Sequence, residues 1–541
     1  MMPNAGCILL LNLGGVRMSL RERVVAPMAV VVAAASLAAC GGGGADPAGE
    51  AGPISASAAP GDLDTSATLT FADPFQNDTI DPAKNDSGFP TRQLNLVYDR
   101  LIGISPSGEL VPQLATKWEF ANPTTLRLTL RSGVKFQDGA PFDAAAVVKN
   151  LDRSREMPDA GPAVSAPAAS IKDMKASGTD VVEITLKKPR YSILYDLAQN
   201  LGMMISPGSL SGSLDRAAVG AGMYKLVEFK PGVSATYKRW DGYWDAGAVK
   251  LAGFVVKSIP DAQTRINALQ SGQVTMSLID ESQVDDAKGA GVRVSEKATV
   301  SAWTMFLNMT RGGLKNEQVR QALSYAIDRK SLVETLGHGH GEPTVQMFPS
   351  TYEAYSKDWP ATKYPFDAAK AKELLAGAGY GNGAKFSALI LNRPLDKQLG
   401  QALQRMVKPA GITLELKVVE PARYSMFTDG EVDMFLGRWG GRADPADTLN
   451  SNAGKGGFIN PGSGTTPEFQ TLMDKIETTP TGDARTKLVQ EASALFAQQQ
   501  LDIPVFARRS IFADNGCVVG FTPYMVGADE YRGVGVRKNC G

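Results

Sequence analysis

The sequence predicts an α/β fold divided into more than one domain, and three observations carry that reading. At 541 residues the chain exceeds what one hydrophobic core organises. Segments with a two-residue apolar period alternate with segments of helical period, the pattern of α/β units. The composition, 43% hydrophobic and 21% charged, is that of a globular protein.

The elements follow in order. Leu126, Leu128 and Leu130 alternate with Arg127, Thr129 and Arg131, predicting a half-buried strand. Asp138-Gly139 marks a turn, and Asp143 is placed to cap a helix whose apolar face holds Val147, Val148 and Leu151. Asp180–Pro189 reads as a second strand. Asn316 is the N-cap of one helix that presents Val319, Leu323, Ala326 and Ile327 on a shared face and stops at Gly337. Asp367 opens another helix, with Leu374 and Leu375 facing inward and Gly377 and Gly379 ending it. A strand over 386–392, a helix over 397–411 and a strand over 412–419 complete the alternation, and no tandem repeat is present.

The stretch LGRWGGRADPADTLN, 436–450, breaks the pattern. Gly, Pro and Asp read as a loop leaving a strand-like run over Val432–Leu436. A tryptophan between Arg438 and Arg442 leaves two readings: a surface turn with solvated charges, or a ligand-recognition loop.

The N-terminus carries targeting signals. From Met18, the basic residues Arg21 and Arg23 precede the apolar run Val24–Ala35, which is short for a membrane span but suits a signal peptide. Leu37-Ala38-Ala39-Cys40 resembles a bacterial lipobox, so residues 1–39 read as a lipoprotein signal peptide with Cys40 as the lipidated residue. The alternative is an ordinary secretory peptide with a coincidental cysteine. Residues 1–17 are either an extension of the basic region or a segment before the true start. Residues 40–65 are rich in Gly, Ala, Ser and Pro and read as a flexible tether. A 22-residue coil of this kind reaches about 25 Å. The expected location is the bacterial cell envelope, with a lipid anchor as the only membrane attachment.

Charge narrows the function classes. Lys plus Arg and Asp plus Glu both number 56, which gives no electrostatic case for nucleic acid. No zinc-protease, nucleophile-elbow or phosphate-loop motif occurs. The two histidines, His338 and His340 in a Gly-rich GHGH, make a poor metal site. No enzyme activity, cofactor or metal is expected. Cys517 and Cys540 pair in an oxidising compartment or remain two free thiols.

Five blocks in order carry a family resemblance: LVYDRLIGISPSGELVPQLATKWEF, LRLTLRSGVKFQDGAPFDAAAVV, VGAGMYKLVEF, FLNMTRGGLKNEQVRQALSYAIDRKSLV and YPFDAAKAKELLAGAGY. Together they resemble the family 5 extracellular solute-binding proteins of ABC importers, the oligopeptide, dipeptide and nickel binders. Ala146 stands where the family usually has Asp, and Met223 where it usually has Pro.

The resemblance implies a two-lobed periplasmic-binding-protein clamshell of type II, with an extra small domain in the first lobe. The first lobe would span 66–304, its small domain about 95–205, and the second lobe 305–500. Residues 501–541 would return to the first lobe. The lobes would be crossed near AWTMFLNM and DIPVFARRS. The implied partners are a small-molecule or peptide ligand and an ABC permease with its ATPase, the binding protein itself being a monomer.

The resemblance also nominates site residues. Arg393 in LNRPLD is similar to the arginine that holds a ligand carboxylate in dipeptide binders; a salt bridge within the second lobe is the alternative. GRWGGRADPAD stands where relatives carry a Trp-containing cleft loop, which nominates Trp439, Arg442, Arg438 and Asp444. Arg442 replaces an expected acid, and the spacing to Asp444 is one residue short. Trp303 and Phe306 are candidate aromatic walls, with core packing as the alternative. The expected ligand is a short peptide or related carboxylate-bearing molecule. The rivals are a sugar or nickel-chelate binder on the same fold, an exported hydrolase, and a sensor or adhesion lipoprotein.

Overall fold

A computed structural model describes residues 60–540, apart from Gln76, Asp86, Ser87 and Ala528. The signal peptide, Cys40 and most of the tether therefore lie outside the described residues.

Among the described residues, 11 strands form one sheet. From one edge the order is Ile412–Val419, Ala384–Leu391, Met434–Trp439, Arg293–Leu307, Ile503–Asp514, Met276–Ile279, Thr68–Asp73, Gly253–Ser258, Ser234–Arg239 and Tyr224–Lys230, with Gly341–Pro343 paired to Ile503–Asp514 off this path. Arg293–Leu307 and Ile503–Asp514 belong to both lobes. Residues 293–298 pair with 509–514, beside the first-lobe strand Met276–Ile279. Residues 302–305 pair with 503–507 while residues 302–307 also pair with Met434–Trp439 of the second lobe. The register slips between Ala298 and Ala302, where the sheet passes from one lobe to the other. A bulge at that point bends the strands and re-aims their side chains.

A separate four-stranded antiparallel sheet, Ala115–Asn122, Thr125–Leu130, Val181–Leu186 and Ile171–Ser177, forms the small domain. Strand Thr125–Leu130 alternates as its sequence predicts: Leu126, Leu128 and Leu130 are buried against helix Ala144–Glu156 and its neighbours. Asp143 accepts the Ala146 N–H at 2.8 Å and starts that helix. Gln137, buried and part of the second quoted block, donates to the carbonyls of Gly222 (3.1 Å) and Tyr224 (2.8 Å) in the third. Gly222 must lack a side chain, since a Cβ there would sit 2.5 Å from the Val97 carbonyl carbon.

Two predicted elements are corrected. The helix expected from Asn316 to Gly337 is two helices, Glu317–Tyr325 and Arg329–Thr335. Asp328 accepts the Ser331 N–H (3.0 Å), and Arg329 turns inward to donate to the carbonyls of Ser324, Thr344 and Pro504. Burial lowers the Arg329 pKa to about 9. The 436–450 stretch is also less loop-like than predicted. Its strand continues to Trp439, and Asp444 caps a helix, Pro445–Ala453, with proline in the first turn where no N–H is required.

Near the C-terminus, Cys517 and Cys540 are disulfide-bonded with Cα atoms 5.7 Å apart. No helix of the described residues is long and apolar enough to cross a membrane.

Candidate functional site: an arginine-lined cleft between the lobes

The lobes enclose a cavity of about 650 Å³, within the range of small-molecule sites. The small domain contributes Pro162, Arg190, Tyr195 and Asp196, and the first-lobe sheet contributes Leu278, Ile279 and Asp280. The bulged crossing strands contribute Thr299, Ser301, Arg508 and Arg509, and the second lobe contributes Arg393, Arg438, Arg442 and Phe458.

Among the described residues, seven arginines line the cavity (Arg92, Arg190, Arg393, Arg438, Arg442, Arg508 and Arg509), and they fall into two groups. Arg508 is held by Glu281 (2.7 Å), Arg92 by Asp73 (3.4 Å) and Asp529 (3.7 Å), and Arg190 by Asp196 (2.6 Å). Arg509 lies 4.0 Å from Glu296, which also meets His340 Nδ1 at 2.9 Å. Arg393, Arg438 and Arg442 make no ion pair or side-chain hydrogen bond among the described residues.

Packing holds two of these three. Arg438, next to the end of its strand, pairs with Trp303 and lies over that indole, 5.7 Å from the centroid. Burial, and then Arg508 beside it, pull its pKa below the ordinary arginine value. Arg442 lies over Trp439 at 5.4 Å. Its loop is set by Gly441, which has φ +65° and packs so closely on Val300 that a Cβ would approach within 2.8 Å. Arg393 is exposed at the cleft edge and precedes helix Pro394–Val407. Asp396, buried nearby, lies beyond ion-pair distance of both Arg393 and Arg438. Burial raises its pKa, while the charges of Arg438 and Arg393 oppose that rise.

Several nominated residues have other placements. Trp303 (4% exposed) and Phe306 (1% exposed) belong to the core and do not line the cavity. Trp303 is instead the platform beneath Arg438, and Phe306 stacks on Phe435 at 5.4 Å. Trp439 is half-buried and does not line the cavity; Phe458, 6.2 Å from it and half exposed, does, as do Tyr195 and Phe75. Asp444 reaches the cavity wall but is consumed: Arg485 donates to its two oxygens at 2.9 and 2.6 Å, and Ala446 N–H donates at 2.9 Å.

Sequence reasoning missed Arg190, Asp196, Phe458, Arg508 and Arg509. The doubled arginine in the apolar strand VFARRS was a usable signal, because an inter-lobe crossing strand has little reason to carry two cations unless they face a cleft. Phe458, in a Gly-rich loop, gave none.

Two lobes joined by a continuous sheet around a cleft lined by fixed guanidiniums define a ligand-capturing clamshell. The chain belongs to the bacterial extracellular solute-binding proteins, family 5, whose middle segment is matched by residues 109–460. It is 28% identical over 474 residues to the glutathione-binding protein GsiB of Salmonella paratyphi A, covering 84% of this chain and 90% of that protein. HbpA2 from Haemophilus parasuis superposes with a TM-score of 0.77 at 23% identity, covering 87% of this chain and 100% of that one. DppA from Helicobacter pylori, solved in complex with the peptide STSA, superposes with a TM-score of 0.75 at 22% identity over 88% and 99% of the two chains. The protein is thus a solute-binding component of an ABC importer and not an enzyme.

Proposed function

We propose that this protein captures a short peptide or a related carboxylate-bearing solute and delivers it to the membrane permease while held to the envelope by a lipid on Cys40. The observation that carries the ligand class is the trio Arg393, Arg438 and Arg442, which line the cavity without carboxylate partners among the described residues. A planar guanidinium offers two parallel N–H donors to a carboxylate, and a cleft that excludes water strengthens such charge-assisted bonds. The half-exposed Phe458 adds an apolar surface for a side chain.

The relationship to a glutathione-binding protein makes glutathione, a tripeptide with two carboxylates, the first solute to test. Titration calorimetry should detect its binding, and native mass spectrometry of protein purified from its own host should reveal a co-purified acidic solute. A neutral sugar or a metal chelate found there instead would overturn the ligand class. The tether reading is tested separately: metabolic labelling with a fatty acid should mark the wild-type protein but not Cys40→Ala. Absence of label on the wild type would overturn it.

A further inference from the structure

At the rim of the cleft, one guanidinium gathers carboxylates from both lobes. Arg190, in the small domain, binds Asp196 of its own lobe at 2.6 Å. Across the cleft it meets Glu477 at 3.4 Å and Asp447 at 3.9 Å, both from second-lobe helices. The same seam carries Tyr191 N–H donating to the Glu477 carbonyl and Ser192 Oγ donating to its carboxylate, each at 3.4 Å. The other charged or titratable groups facing this cluster are Tyr195 from the small domain and Arg442, Asp444, Arg485 and Glu353 from the second lobe. Asp444 and Arg485 neutralise one another. Closure therefore packs three carboxylates around Arg190, an excess of negative charge that Arg442 offsets only from its more distant position over Trp439.

We propose that Arg190, Asp196, Asp447 and Glu477 form a proton-sensitive clasp between the lobes, which closes more readily in mildly acidic medium because bringing the lobes together takes up a proton into the cluster. It regulates the site described above but rests only on the two-lobed architecture, not on the ligand class.

The direction follows from where the charges reside. With the lobes apart, Asp447 and Glu477 leave Arg190 and Asp196 and face water, where a glutamate titrates near 4.3. In the closed arrangement burial, in opposition to Arg190, raises the Glu477 carboxyl to about 7. Asp447 is pushed well above its ordinary value by burial, then by Asp444 and Asp196. A group whose closed-state pKa is raised favours closure fully below its open-state pKa and loses that effect as pH rises through the closed-state value. The window is thus between about pH 4.5 and pH 7. The Glu477 side chain keeps 36% of its surface exposed, so solvent screens part of the effect. The expected change in the closed-to-open ratio across the window is on the order of tenfold.

The test uses ligand-free, full-length protein carrying a donor–acceptor dye pair on cysteines placed at Asp241 in the first lobe and Lys385 in the second. Energy transfer is followed from pH 8.5 to pH 5. Wild type should shift toward the closed distance as pH falls. Glu477→Gln should reduce the shift, and the double variant Asp447→Asn/Glu477→Gln should stay more closed at high pH and lose most of the dependence. Arg190→Ala should close less at every pH. Thermal melts of each variant verify folding, and Glu477→Gln alone, on a partly exposed side chain, keeps the test available if the double variant unfolds. A wild-type profile that is flat, runs in the opposite direction or matches that of Glu477→Gln overturns the clasp. Because no ligand is present, failure here leaves the carboxylate reading intact, and failure to bind glutathione leaves the clasp intact.

Discussion

Two arginines near the cleft, Arg485 and Arg438, illustrate two ways of keeping a cation out of water. Arg485 has a 3% exposed side chain and is locked onto Asp444, itself completely buried. Arg438, opposite Trp303 on the adjacent strand, has an indole face and another arginine for company but, among the described residues, no carboxylate within ion-pair distance. The first arrangement satisfies itself and holds helix Pro445–Ala453 in place. The second stays incomplete until an anion arrives. Charge alone therefore does not mark a binding residue; a cation with no partner does.

The comparison breaks most visibly at the satisfied pair. Arg485→Ala leaves the buried Asp444 carboxylate uncompensated and is expected to cost about 3–5 kcal/mol of stability in urea unfolding. Asp444→Ala should cost a similar amount and also lose the cap on Ala446, worth about 1 kcal/mol. Replacing both with apolar residues, Asp444→Leu with Arg485→Met, should recover much of the loss, because the desolvation cost disappears with the charges. Ligand affinity in the surviving folded fraction should change little.

The incomplete arginines should behave oppositely. Arg438→Ala removes a charge that burial and Arg508 already disfavour, so thermal stability should hold or rise. Affinity for the captured peptide should fall about 10- to 150-fold in calorimetry, the equivalent of losing about 1.5–3 kcal/mol of charge-assisted hydrogen bonding. Arg393→Ala should lower affinity within the same range, and Arg393→Lys should not restore it, because an ammonium lacks the two-pronged donor. A fall in stability without loss of affinity would place these residues with Arg485.

Ligand chemistry sharpens the same contrast. Amidating the peptide's carboxyl group should weaken binding, whereas acetylating its amino group should be tolerated, since the acid nearest the cleft loop, Asp444, is already committed to Arg485. The reverse pattern would show that an acid, not an arginine, anchors the ligand.

Local elements were legible in the sequence where a single physical cause acts alone. Alternating leucines gave the strand Thr125–Leu130, and the side chains of Asp143, Asn316 and Asp367 each cap the helix predicted after them. Legibility failed where tertiary contacts decide. Nothing local announces that Arg329 turns inward and splits a helix, because its acceptors at Thr344 and Pro504 are 15 and 175 residues away. The site was legible in residue type but not in role. The Trp-Arg loop stood out, yet only the fold shows that Asp444 belongs to Arg485 and that Phe458, not Trp439, faces the cavity. Arg190 and Glu477 lie 287 positions apart, and no pattern along the chain joins them.

Arg442 should give the smallest effect and discriminates most finely. The sequence ranks it beside Arg393 because it replaces an expected acid, whereas the structure gives its charge a second task. It rests on Trp439, and its field acts on Asp196, helping to offset the excess carboxylates around Arg190. Much of its charge is thus committed before a ligand enters, though less firmly than that of Arg485. Arg442→Leu should weaken peptide binding by about two- to fivefold, the equivalent of about 0.5–1 kcal/mol for a partly exposed cation–π contact. That loss should grow as pH rises from 5.5 to 8, when the carboxylates it offsets are charged. Calorimetry at both pH values, run in parallel with Arg438→Ala, separates the roles. Among charged neighbours, Arg438 is influenced most by Arg508, which does not titrate in this range. Asp280, Asp396 and Glu281 act on it only from beyond ion-pair distance, so its loss should change less with pH. If the Arg442 loss is large and independent of pH, Arg442 is a ligand anchor equal to Arg438, and the division between committed and waiting arginines falls in a different place.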